Sequence, residues 1–181
     1  MAEKKTPALL IEDNRYCPGC GHGIINRILA EVLEEMGLAD ETIVSLAVGC
    51  GGLMMYSFGT DWIQAPHGRA AAVATGIKRV RPENCVIAYQ GDGDALAIVC
   101  ADIIVNTGIY GMTGGQMAPT TLPGQKTATS PKGRDAETTG LPLDVIAFMK
   151  ERKVGYLARG ALHSAKEINK VKKYIRAAVE N

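Results

Sequence analysis

Two aspartates set between glycines, Asp92 and Asp94 in "AYQGDGD", are the first residues whose type and spacing suggest chemistry. Glycines at such a turn let the backbone approach a phosphate, and a carboxylate beside it suits a hard divalent cation that also takes phosphate oxygens. One aspartate from this loop and a carbonyl from a neighbouring loop would make such a site, although "GDGD" alone also fits a plain turn. A second glycine-rich loop with a single tyrosine, "IYGMTGGQMAPTT", is harder to read as turn chemistry only. Thiols form the other cluster. Cys17 and Cys20 make a C-x-x-C within "YCPGCGHG", a spacing that suits a shared metal or cluster, or redox dithiol chemistry. Cys50, in "VGCGG", is a further candidate ligand, whereas Cys85 and Cys100 sit in apolar runs and read as core.

These residues need a scaffold, and the patterning supplies one. The lead-in 1–15 is polar and reads as poorly ordered. "GIINRILAEVLEEMG" (23–37) carries Ile24, Ile28, Leu29, Val32, Leu33 and Met36 at helical spacing and stops at Gly37. "ETIVSLAVG" (41–49) and "NCVIAYQ" (84–90) are short, apolar and β-branched, as buried parallel strands are. Between them, residues 50–66 read as a glycine turn and an irregular connection or strand, and residues 67–82 as an alanine-rich helix ended by Pro82. Towards the end, 141–155 reads as a helix, 155–161 as a strand, and 164–180 as an amphipathic helix capped by Ser164. Strands alternating with helices and glycine turns predict an α/β fold, one domain over residues 1–181 with a mostly parallel sheet. Ligands bind such sheets beyond the carboxyl ends of the strands, where "GCGG" and "GDGD" both fall.

Composition narrows the field further. A net charge of +1 over 181 residues gives no electrostatic footprint for nucleic acid or an acidic membrane surface. No apolar run reaches the ~20 residues of a membrane span, no secretory signal is evident, and five cysteines argue against a disulfide framework. A cytoplasmic protein is expected. His67, in "APHGRAA", is either a site residue or a polar start to its helix. His22 reads as orienting the cysteine turn and His163 as a surface residue. Trp62 and Tyr56 read as core in preference to a partner-facing surface.

Taken in order, "YCPGCGHG", "VGC", "APHGRAAAVATGIKRV", "YQGDGDALAI" and "IYGMTGGQMAPTT" closely resemble the thiamine-diphosphate-binding β subunit of 2-oxoacid:ferredoxin oxidoreductases, with the 2-oxoisovalerate and 2-oxoglutarate enzymes nearest. The resemblance runs from about residue 15 to about residue 178. It implies a doubly wound thiamine-diphosphate fold acting with alpha, gamma and ferredoxin-like delta subunits. It implies oxidative decarboxylation of a 2-oxoacid to acyl-coenzyme A, with electrons passed through iron–sulfur clusters to ferredoxin. Carried over by motif, Asp92 binds Mg2+ with the Ile109 carbonyl. Gly93, Asp94, Gly111 and Met112 line the diphosphate, Gly49 and Cys50 lie beside the cofactor, and His67 faces cofactor and substrate. Cys17, Cys20 and Cys50 match three ligands of a 4Fe–4S cluster.

Two departures stand out. Relatives place a helix and a strand ending in two asparagines between the two glycine loops, but only "ALAIVCADIIVNTG" separates Asp94 from Ile109 here. In the preferred alignment Ala95–Val105 is the crossover helix, and the strand and its asparagines are absent. In the other, Asp102–Val105 is the strand end and Asn106–Thr107 replaces the pair, giving Thr107, or Asn106 after a shift, as the Mg2+ ligand. Relatives also continue past the last helix into a loop bearing a fourth cluster cysteine, and neither Cys85 nor Cys100 occupies that place. A shortened, non-catalytic relative with a structural role is therefore the rival expectation.

Overall fold

The computed structural model describes residues 5–95, 102–151 and 154–180. Four parallel strands form its sheet in the order β2-β1-β3-β4, with β1 at Thr42–Leu46, β2 at Asp61–Gln64, β3 at Cys85–Gly91 and β4 at Asp102–Val105. Side-chain alternation in β1 and β3 gives the sheet two apolar faces. On one face Val44, Leu46, Ile87 and Tyr89 join Ile25, Ile28, Leu29, Val32 and Leu33 of helix α1 (Gly21–Glu35) in the main core. On the other, Ala88 meets Ala71 and Ala74 of helix α2 (Ala70–Val80), and the Ser45 hydroxyl donates to the Ala70 carbonyl at 2.8 Å. Small residues on that side let α2 lie close to the sheet. Helices on both faces make the expected doubly wound α/β arrangement.

The chain leaves β1 towards β2 on one side, then crosses by α2 to β3 on the other. The strand order therefore reverses between β1 and β3, and a crevice opens there beyond their carboxyl ends. A 3-10 turn over Cys50–Tyr56 follows β1, and the short helix α3 (Asp92–Ala95) follows β3, so both lie at this crevice. Beyond β4 come the two-stranded antiparallel pair β5 (Ile109–Tyr110) and β6 (Gln116–Met117), then α4 (Ala136–Thr139), α5 (Val145–Glu151) and α6 (Ala165–Glu180). Ser164 caps α6 as expected, its hydroxyl accepting from Glu167 N at 3.3 Å.

Several expectations are corrected. Residues 102–105 are not the end of a helix: β4 pairs with β3 from Ala88↔Asp102 to Gly91↔Val105. Backbone groups at the open side of β3 need a ladder partner, and this demand outweighs the helical look of the sequence. The rest of the expected crossover helix, with Cys100, lies outside the described residues. Residues 155–161 form no strand; residues 155–160 are exposed and no described strand lies beyond β4 to pair with them. The lead-in is anchored, since Leu9 is buried, its N–H donates to Glu34 Oε1 at 2.8 Å, and Leu10 bridges to Phe58. Trp62 and Tyr56 are not core: Trp62, on the edge strand β2, is 44% exposed, and Tyr56, ending the 3-10 turn, is 43% exposed with the Arg15 guanidinium over its ring.

Helix α6 lies on α1 through buried Val171 and Ile175 and through Lys172, which donates to Glu31 at 2.8 Å and Glu35 at 2.5 Å. Exposed ion pairs contribute under about 1 kcal/mol, whereas truncating a buried isoleucine costs about 2–5 kcal/mol. Ile175→Ala is accordingly expected to lower the urea midpoint several times more than Glu35→Gln. Equal losses would place the charges, not the apolar seam, in control.

Candidate functional site

The β3–β4 ladder sets the site. Gly91 lies opposite Val105, so the next residues, Asp92 and Asn106, leave neighbouring strands side by side. Asp92 is 2% exposed. Its Oδ1 faces Thr107, whose N–H and hydroxyl lie at 3.4 and 3.5 Å, and its Oδ2 accepts from the Thr120 hydroxyl. That hydroxyl also lies 3.1 Å from Asn106 Oδ1, and the Thr107 hydroxyl lies 3.2 Å from the Ile109 carbonyl. The residues expected from sequence, Asp92, Ile109 and the alternatives Asn106 and Thr107, thus come together, with Thr120 added. The view that the shortened region has lost this side of the site is overturned. Thr120 was missed, and the hydroxyl pair of "PTT" was its only signal.

Oxygens crowd together here. The Thr120 hydroxyl faces Asp92 Oδ2 and Asn106 Oδ1, the latter also accepting from Gly108 N at 3.0 Å, and the Thr107 hydroxyl faces Asp92 Oδ1 and the Ile109 carbonyl. A carboxylate, an amide oxygen, a carbonyl and two hydroxyls are the donor set of a hard divalent cation, and Mg2+ fits it. Glycine matters at one point beside it. The Tyr110 ring lies directly on Gly93, where a Cβ would collide with ring carbons. The Tyr110 phenol is pushed up by its partial burial and then by the Asp92 and Asp94 carboxylates.

Asp94 and His67 form a flank of their own. His67 Nδ1 lies 2.6 Å from Asp94 Oδ1, which also accepts from Gly68 N at 3.3 Å. An ionised carboxylate only accepts, so Nδ1 carries the proton and Nε2 is left facing out. The structure thus places the Asp94 carboxylate on the histidine.

The thiols line a cleft of about 2500 Å³ together with Asn106, Thr107, Gly111 and Met112. Cys20 N donates to the Cys17 carbonyl at 3.0 Å, closing the expected tight turn. The Cys50 thiol is pushed up by burial, against a hydrogen bond from the Met112 backbone. Gly49 precedes the Cys50 turn, and an added Cβ on Gly111 would lie 3.8 Å from Cys50 Sγ. Among the described residues no three His, Cys, Asp or Glu side chains close around a common metal position. The three cysteines share a wall but are not gathered as a cluster would need.

Behind that wall lies a buried polar stack. His22, 1% exposed, stacks on Tyr16 with centroids 5.3 Å apart, and its Nδ1 lies 2.9 Å from the Tyr89 hydroxyl. Burial lowers its pKa to about 4, with the Asp92 charge pulling the other way, so the ring is neutral at pH 7. Burial likewise raises both phenols, Tyr16 and Tyr89. His22 therefore packs beneath the cysteine turn, in the orienting place expected, and His163 is exposed.

The fold and these loops define an α/β domain that gathers a buried carboxylate, two hydroxyls, an amide oxygen and a main-chain carbonyl at the switch point of a parallel sheet. Residues 47–181 match the family "Thiamine pyrophosphate enzyme, C-terminal TPP binding domain". The chain belongs to that family. It is 38% identical over 179 residues to ketoisovalerate oxidoreductase subunit VorA of Methanothermobacter thermautotrophicus, covering 91% of this chain and 38% of that protein. It is 34% identical over 168 residues to 2-oxoglutarate synthase subunit KorB of Archaeoglobus fulgidus, covering 86% and 61%. Among solved structures it superposes with TM-score 0.83 and 28% identity on 2-oxoglutarate:ferredoxin oxidoreductase from Magnetococcus marinus, a structure with 2-oxoglutarate, coenzyme A and succinyl-CoA bound, covering 94% and 61%. The chain thus spans less than two thirds of the length of each of these relatives. No helix among the described residues is long and apolar enough to cross a membrane.

Asp102 offers a test of the ladder beside the site. Its Oδ2 accepts from Gln90 Nε2, while its Oδ1 and Gln90 Oε1 are buried without partners among the described residues. Burial raises its pKa to about 7, against the Gln90 hydrogen bond and with help from the Asp94 charge. The folded state then binds the extra proton between the ordinary carboxylate value and about 7, so Asp102 costs stability increasingly as pH rises across that window. Asp102→Asn is expected to be more stable than the parent at pH 8, with the gain shrinking towards pH 5, as urea titrations at ~pH 5 and ~pH 8 would show. A pH-independent difference would contradict it.

Proposed function

We propose that the chain is the thiamine-diphosphate-binding β subunit of a 2-oxoacid:ferredoxin oxidoreductase. A 2-oxoacid, coenzyme A and two oxidised ferredoxins would give acyl-CoA, carbon dioxide, a proton and two reduced ferredoxins. The observation that carries the reading is the convergence of Asp92, Asn106, Thr107, Thr120 and the Ile109 carbonyl at the switch point of a chain in the thiamine pyrophosphate family. Bound thiamine diphosphate supplies the nucleophilic carbon and electron sink that decarboxylation of a 2-oxoacid requires.

The chain's own residues then have distinct tasks. Asp92 with Asn106 or Thr107 and the Ile109 carbonyl would hold Mg2+, which would supply positive charge for the diphosphate. Gly93, Gly111 and Met112 border the diphosphate, and Gly49 and Cys50 border the cofactor. Asp94 fixes the His67 ring so that Nε2 is presented towards substrate and can hold or release a proton there. The cleft over the cysteine turn is where other subunits (alpha, gamma and a ferredoxin-like delta) would cover the site. Cys17, Cys20 and Cys50, the thiols that the family resemblance gives to a 4Fe–4S cluster, share one wall of the cleft but are not gathered as a cluster would need. A cytoplasmic setting accords with the described cysteines, all free. The intact cation loop speaks against a purely structural role.

Calorimetric titration of thiamine diphosphate into the purified protein tests this directly. Binding is expected to need Mg2+ and to be reversed by EDTA. Asp92→Asn should raise the Mg2+ requirement by about 100-fold, the scale of losing one charged ligand from a buried site. Binding indifferent to Mg2+ and to this substitution would sink the assignment.

A further inference from the structure

Thr120 reaches Asp92 and Asn106 from a loop with little regular structure of its own. Between β6 and α4 the chain is turns and isolated bridges. What holds it is Arg134, an arginine 7% exposed. Its Nη1 donates to the carbonyls of Pro119 at 2.8 Å, Thr121 at 2.9 Å and Ala118 at 3.3 Å. Nη2 donates to Leu141 at 2.9 Å and Thr139 at 3.4 Å, and Nε to Gly140 at 3.0 Å. Every one of these acceptors is a main-chain carbonyl. A guanidinium has five N–H donors in one rigid plane, so the whole group is taken up in holding backbone. A buried cation is costly without such partners, which argues that the loop's shape is the return on burying it.

Pro119 and Thr121 flank Thr120, so the guanidinium grips the backbone on both sides of the residue that reaches Asp92. Thr121 extends the hold: its hydroxyl accepts from Ala118 N at 2.8 Å and donates to the Gly108 carbonyl at 2.6 Å, next to Ile109. Arg134 is itself held by backbone bonds, its carbonyl accepting from Gly124 N at 2.9 Å and its N–H donating to Gln125 O at 3.0 Å. Gly133, with φ 101°, makes this crossing possible, because a Cβ there would stand 2.6 Å from the Gly124 carbonyl oxygen.

We propose that Arg134 is the positioning residue of the cation site. Without touching cation or cofactor, it holds Thr120 and Thr121 against Asp92, Asn106 and Gly108, and so sets how tightly the site takes a divalent cation. This rests on the cation reading of the preceding subsection. The physical content is pre-organisation: the two loops already share one geometry before metal arrives, so little ordering remains to oppose binding. Lysine cannot substitute, since an ammonium has three donors and no planar fork.

The test is Mn2+ binding in the presence of thiamine diphosphate, read from the electron paramagnetic resonance of free Mn2+. It uses the full chain with any subunits that accompany it on purification. Arg134→Lys, Arg134→Ala and Thr120→Val are each expected to weaken Mn2+ binding by about tenfold or more, and the Arg134→Ala/Thr120→Val pair by no more than the larger single loss, as coupled residues behave. Millimolar ethylguanidinium should recover much of the Arg134→Ala loss and none of that in Arg134→Lys. Parental affinity in a folded Arg134→Lys protein, or losses that add in the double variant, would overturn the proposal. If Arg134→Ala fails to fold, Arg134→Lys decides alone. Failure of the unsubstituted protein to take up Mn2+ would defeat the cation reading itself, and this inference with it, and is distinguishable because no variant is needed to see it.

Discussion

A parallel ladder is the constraint on which the site depends. Hydrogen bonding of β3 to β4 puts Gly91 opposite Val105, and strands in such a ladder lie about 4.8 Å apart. Two chains leaving adjacent strands at the same level therefore deliver Asp92 and Asn106 to one place. A slip of one residue would turn the side chains of β4 to the other face and part the two. The position of the switch point follows from the same sheet, because β1 and β3 are neighbours whose continuations run to opposite sides. The Cys50 turn and the Asp92 turn meet there for that reason.

Electrostatics of the site centre on one buried carboxylate. Asp92 has two hydroxyls and an amide N–H as its partners, all of them neutral. Arg134 adds no charge to Asp92, because its donors are directed to carbonyls of the neighbouring loop. Charge and scaffold are thus separated: the carboxylate keeps neutral partners while a guanidinium holds the backbone of the loop that brings Thr120 to it. His22, kept neutral by burial, adds no positive charge on the opposite side.

The helical layers act at a distance. α1 brings the Cys17–Cys20 turn and His22 to the site because its apolar face is fixed on β1 and β3. α2 begins just after His67, so its close alanine contact with the sheet sets where that histidine and Asp94 meet. The edge strand β2 leaves Trp62 and Ile63 exposed, with no described strand beyond it.

By itself the sequence determined the class of fold and which carboxylate and glycine loops stand at the switch point. Apolar β-branched runs between glycine turns define β1 and β3, the spacing of Ile28, Val32 and Leu33 defines α1, and Ser164 marks the start of α6. The glycines and carboxylates of "GDGD" report their chemistry locally. Only the tertiary structure decided the rest. "ADIIVNTG" suits a helix end or a strand, and the open ladder of β3 made it a strand. Residues 155–161 have strand composition but no partner strand among the described residues, and they form none. Trp62 is large and apolar, yet its place on an edge strand leaves it exposed, and Tyr56 is exposed at the end of a surface turn. Arg134 carries no signal of its own and Thr120 only the hydroxyl pair of "PTT", because their hydrogen bonds join segments far apart in the chain. Local propensity is written residue by residue, whereas a ladder partner, an edge or a shared carbonyl exists only once distant segments have met.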